Sequence, residues 1–128
     1  MGSRATDLED AHLVQFFDWL AWQEKRHPEF KAVFHVANER RCSWMQGKLL
    51  KRKGVKAGIF DIICPIPKDP YHGLIIEMKI KPNKVTPHQE AMGKLFYSLG
   101  WCVRVAWSGD EAIEIFKNYL LTNVKERA

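Results

Sequence analysis

Apolar residues Leu13, Phe16, Phe17 and Leu20 recur at helical spacing, with Trp19 beside them, and predict a first helix ending near Glu24. Thr6-Asp7-Leu8-Glu9 marks its start, with Thr6 as N-cap and Glu9 as capping-box partner. His27-Pro28 closes it, because the residue before a proline avoids helical geometry. Val33, Phe34 and Val36 predict a first strand within 31–37, and a basic segment from Arg41 to Arg52 predicts a helix. Gly54 and Gly58 bracket a turn, after which Ile59 to Ile66 reads as a buried strand with Asp61 inside it. Lys68-Asp69-Pro70 has turn composition, and His72 to Ile80 is the next strand, so the two strands form a hairpin-like antiparallel pair. Thr86 as N-cap and Pro87 at the first helical position open a helix to about Leu99, with Gly100 as its C′ residue. Trp101 to Trp107 is a third core strand, and Ser108 or Gly109 leads into a last helix reaching about Leu121. The order α, β, basic helix, β, β, α, β, α, without internal repeats, predicts one mixed α/β domain over residues 1–128.

Composition narrows the class. With 46% hydrophobic and 27% charged residues, the chain is globular rather than disordered. Its longest apolar stretch, near Phe16–Trp22, is broken by Asp18 and too short to span a bilayer. No charged segment followed by an apolar run opens the chain, so no secretion signal is expected. Cys42, Cys64 and Cys102 are odd in number and far apart, which argues against a zinc site or disulfide framework and for a reducing cytoplasm. A formal charge of +5 suits a polyanionic partner without establishing one.

The chemistry concentrates in the middle strands. Side chains two apart in a strand share a face and lie roughly 6.6–6.8 Å apart along the chain, so Glu77 and Lys79 point the same way while Ile76 and Met78 point the other. If the two strands pair, Asp61 converges on them. Two carboxylates suit a hard divalent cation such as Mg²⁺, with water and phosphate oxygens completing its shell, and the Met78 carbonyl is within reach of the same ion. Lys79 is suited to holding an attacking water or neutralising charge on a phosphate. The same spacing also describes a Glu–Lys ion pair on a solvated strand face. Asp61 favours the first reading, because a carboxylate inside Gly58-Ile-Phe-Asp-Ile-Ile needs a cation.

Three segments carry a family resemblance: Gly54-Val-Lys-Ala-Gly-Ile-Phe-Asp61, Tyr71-His-Gly-Leu-Ile-Ile-Glu-Met-Lys79 and Thr86-Pro-His-Gln89. Their order and spacing resemble the VRR-NUC (virus-type replication-repair nuclease) family of PD-(D/E)xK nucleases, over most of the chain. The resemblance implies a restriction-endonuclease-like fold with a central mixed β-sheet flanked by helices. It implies that Asp61 and Glu77 are metal ligands for Mg²⁺ or Mn²⁺ and that Lys79 is the catalytic lysine. Gln89 matches the family's active-site glutamine, which orients the lysine or a phosphate; by itself it reads as an exposed first-turn side chain. A family glutamate from the first helix matches Glu9, whose rival role is the capping box, with Asp10 and Glu39 as alternatives. Asn38-Glu39 resembles a position at the edge of the active site and is given no specific role. Phe60 stands where the family has proline, which changes how the chain enters the strand and leaves the chemistry untouched.

A phosphate-binding track is expected from Arg40, Arg41, Lys48, Lys51, Arg52, Lys53 and Lys56 on one side of the site in sequence and Lys81 and Lys84 on the other. Trp44, set among these cations, is the one tryptophan suited to nucleic acid, a core or dimer role being the alternative. No base-reading motif is present, so recognition of DNA shape is expected. Small stand-alone relatives imply a homodimer that resolves four-way (Holliday) junctions in the cytoplasm of a bacterial or phage-infected cell. The alternatives are a nuclease acting on flaps, nicks or ends, and a DNA-binding module that no longer cuts.

Overall fold

A computed structural model describes residues 3–37, 44–56 and 60–121, and the side chains of 3–7 and 44 stand outside that description. The first helix, α1 (Ser3–Gln23), begins three residues before Thr6, so Thr6 is not its N-cap and the predicted capping box with Glu9 does not start the helix. A short 3₁₀ helix, Pro28–Ala32, follows where the start of a strand is expected. Proline at its first positions favours that tight turn, and Phe30 is buried beneath it. The predicted strand shrinks to β1 (Phe34–His35). α2 (Trp44–Arg52) is the predicted basic helix. β2 (Ile62–Cys64) and β3 (Gly73–Met78) are shorter than their apolar runs, so Asp61 stands at the bend before β2 rather than inside it. α3 (Pro87–Ser98), β4 (Trp101–Ala106) and α4 (Gly109–Leu121) complete the order. The positive φ of Gly100 (99°) lets the chain turn from α3 directly into β4.

The four strands form one mixed sheet in the order β1-β2-β3-β4. β1–β2 and β2–β3 are antiparallel, and β3–β4 is parallel, joined by the α3 crossover. Alternation divides the sheet's faces. Ile62, Leu74, Ile76, Met78 and Ala106 pack with Phe16 and Leu20 of α1 and Ala112, Ile115 and Phe116 of α4. The opposite face, which carries Ile75 and Glu77, lies toward α3. There Phe60 packs edge-on against Phe96, whose ring in turn meets Trp101. Phe60, the departure from the family's proline, is thus a buried anchor between the entry to β2 and α3. Cys64 lies in the core, and burial pushes its thiol up to about 11, which suppresses thiolate reactivity. Among the described residues, no helix is long and apolar enough to cross a membrane.

Candidate active site

The β2–β3 register pairs Ile62 with Ile76 and Ile63 with Ile75. One step further toward the open end of the pair, Asp61 falls opposite Glu77. Directly opposed residues of antiparallel strands share a face, so both carboxyl groups meet on the α3 side. Both are buried, at 5% and 4% exposure. A single-residue difference in register would have sent one of them into the hydrophobic core instead.

Asp61 is held on two sides. Its backbone carbonyl accepts the Val36 N–H (2.9 Å) and a 2.6 Å hydrogen bond from His35 Nδ1, both from β1 and the residue after it. Its side-chain Oδ2 accepts the Met78 N–H at 2.7 Å. Because the N–H and C=O of a strand residue point to the same side, the Met78 carbonyl also lies on the Asp61 side. The Lys79 N–H points the other way and continues the β3–β4 ladder to Ala106 O at 2.9 Å. Lys79 itself is half-buried just past the end of β3.

Glu77 is the most perturbed group of the site. Burial first, then the hydrogen bond and negative charge of Asp61, push its carboxyl from 4.5 up to about 9; Lys79 acts in the opposite direction, and Glu9 adds to the rise. Glu9, half-buried on α1, acts on Glu77 only through its charge. Asp10 is exposed, and Glu39 lies outside the described residues.

Gln89 is not merely an exposed first-turn side chain. Thr86 and Gln89 form the reciprocal capping box that opens α3: Gln89 N–H donates to Thr86 Oγ1 (3.1 Å) and Thr86 N–H to Gln89 Oε1 (3.0 Å). With its oxygen fixed, the amide's Nε2 donates to Glu77 Oε2. Its observed partner is therefore Glu77 rather than Lys79. An apolar pocket of about 500 Å³ continues from Glu77 and Gln89 between α3 and the sheet, walled by Phe60, Val85, Gly93, Val103 and Val105.

A divalent cation fits this donor set. The two opposed carboxyl groups are buried, and the nearby Lys79 offsets only part of what raises Glu77. Among the described residues no group of three His, Cys, Asp or Glu side chains is placed to hold a metal ion by itself; two carboxylates are a donor set that a hard divalent cation shares with water and phosphate oxygens. Of the expected DNA contacts, Lys48, Lys51 and Arg52 on α2, Lys53 and Lys56 after it, and Lys81 and Lys84 after β3 are all exposed. Asn38, Arg40, Arg41, Cys42, Gly58 and the side chain of Trp44 lie outside the described residues. Sequence reasoning does not single out His35; a histidine in a short strand carries no signal until the register brings Asp61 beside it.

The chain is thus a mixed α/β domain with helices on both faces of its sheet and a carboxylate pair at the mouth of the middle strands. A solved structure described as a "VRR_NUC domain protein" is similar to the chain at 27% identity and a TM-score of 0.74, over 91% of this chain and 90% of that one. No protein-family model matches the chain, and neither does any curated protein. The structural likeness supports assignment of the chain to the VRR-NUC family, with the nuclease fold that its motifs imply.

Proposed function

We propose that this domain is a Mg²⁺- or Mn²⁺-dependent, structure-selective DNA endonuclease that hydrolyses phosphodiester bonds, acting as a homodimer on four-way junctions. The observation that carries the nuclease reading is the buried Asp61–Glu77 pair, held by the Met78 N–H and the Gln89 amide. Asp61, Glu77 and the Met78 carbonyl would hold the cation. It would supply Lewis-acid chemistry, polarising the scissile phosphate and making the attacking water more acidic.

The remaining work falls to the protein's own groups. Gln89 fixes Glu77 so that the carboxylate is positioned without a search over rotamers. Glu77 would have to be deprotonated to serve as a ligand. Lys79, on the same face two residues on, orients the attacking water and offsets negative charge building on the phosphate. Glu9 approaches from α1 and adds to the negative field that attracts the cation. The exposed lysines and arginine on and after α2, with Arg40 and Arg41, and those after β3 neutralise DNA phosphates.

Branched DNA and the dimer rest on the resemblance to small stand-alone VRR-NUC proteins, and two-fold symmetry would place one site on each of two opposed strands. The deciding experiment incubates the protein with labelled four-way junction, flap and linear duplex in Mg²⁺, Mn²⁺ or EDTA. Symmetrical paired nicks in the junction are expected, with none in EDTA. Trimming from ends would overturn the resolvase and leave an end-directed nuclease, whereas binding without cleavage in either metal would reduce the domain to a DNA-binding module. Light scattering should give a dimer at micromolar concentration.

A further inference from the structure

Asp61 lies just outside β2, where a ligand's backbone would be expected to relax, yet its carbonyl accepts two hydrogen bonds. One is the ordinary ladder bond from Val36 N–H at 2.9 Å. The second, from the His35 ring at 2.6 Å, is a side-chain addition that the sheet does not require. A carbonyl oxygen only accepts, so Nδ1 must carry the proton, which fixes the ring's tautomer when it is neutral. The His35 residue is exposed and its strand is two residues long, so neither core packing nor the length of the ladder explains this bond.

We propose that His35 is a positioning residue for the metal site: its Nδ1–H braces the Asp61 carbonyl and so fixes the direction from which the Asp61 carboxylate enters the site. This rests on the nuclease reading above. The bracing is complementary to the Met78 contact. Met78 N–H holds one carboxylate oxygen from β3, while His35 and Val36 hold the same residue's backbone from the β1 side. With both ends fixed, the other carboxylate oxygen is aimed without rotational freedom. Partners that orient a metal ligand in this way are commonly worth about 10–100-fold in metal affinity.

The test measures Mn²⁺ binding to the DNA-free protein by electron paramagnetic resonance, alongside thermal melting, for the wild type, Asp61→Asn, His35→Ala, His35→Asn and His35→Gln. Asparagine can present its amide N–H near the position of Nδ1, whereas glutamine carries its amide one carbon further out. His35→Ala and His35→Gln should weaken Mn²⁺ binding about tenfold or more, while His35→Asn restores most of it and the melting temperatures stay close to wild type. The Mg²⁺ concentration for half-maximal cleavage should shift in parallel. Unchanged Mn²⁺ affinity in His35→Ala, or equal loss in the Ala and Asn variants, would overturn the positioning role alone. Wild-type protein whose Mn²⁺ binding is absent, or is unaffected by Asp61→Asn, would overturn the metal site itself and His35 with it.

Discussion

What Asp61 and Glu77 do is set by their being opposite each other. Burial first, and then the facing Asp61, let Glu77 retain its proton up to about pH 9. A carboxyl raised in the folded state contributes stability that is fully present below its unfolded value of 4.5 and is lost as the pH climbs through 9. Metal-stripped protein should therefore melt at progressively lower temperature as the pH rises across that window, and Glu77→Gln should flatten the trend in calorimetry. Mn²⁺ affinity should move the other way and tighten with rising pH, because the cation displaces that proton. On the chemistry itself, Lys79→Ala should lower the single-turnover cleavage rate by about 10²–10³-fold while DNA binding persists in gel shifts. Asp61→Asn should remove cutting altogether, and retained activity would sink the site assignment.

At the scale of the elements, the sheet decides whether the site exists at all. A Cβ placed on Gly73 would run into the Trp101 ring and come within 2.7 Å of the Cys64 carbonyl, on both sides of β3 at once. Gly73→Ala should thus cost about 1–3 kcal/mol, read as a lowered melting temperature. Much of this architecture is legible in the sequence. The Thr86-Pro87 start and Gly100 stop of α3, the antiparallel β2–β3 pair and the last helix all follow from local signals that packing has no reason to override. Strand lengths are less legible: Phe60 and Asp61 stay buried although the paired residues of β2 begin only at Ile62. The start of α1 departs from the expected Thr6, since a good capping residue can also sit inside a helix. For the site, period-two alternation places Glu77 and Lys79 together. That Gln89 reaches Glu77, and that His35 touches Asp61, depends on contacts between elements distant in sequence, which no local pattern encodes.

For the whole molecule, the net charge of +5 matters through where it is displayed. Cations on α2 and after β3 are exposed, whereas the site's negative charge is buried at the mouth of the sheet. On the nuclease reading, these peripheral cations draw the polyanion toward that centre. Removing Lys81 and Lys84 together should weaken binding to all DNA sequences alike. The slope of log affinity against log salt should become shallower by about 0.9 for each duplex phosphate that is no longer neutralised, measured by fluorescence anisotropy across a salt series. A variant with reduced affinity for one sequence only would contradict this division of labour.

The capping box of α3 has a consequence for temperature. One side chain, Gln89, both closes the first turn of the helix and steadies Glu77, so fraying of that turn and loss of the site are one event. Helix ends open at far lower free energy than whole domains do. Activity should then decline on warming before the protein melts, in step with amide hydrogen exchange at the start of α3. Thr86→Ala, which removes about 1 kcal/mol of capping, should bring that decline to a lower temperature without touching any atom of the reaction centre.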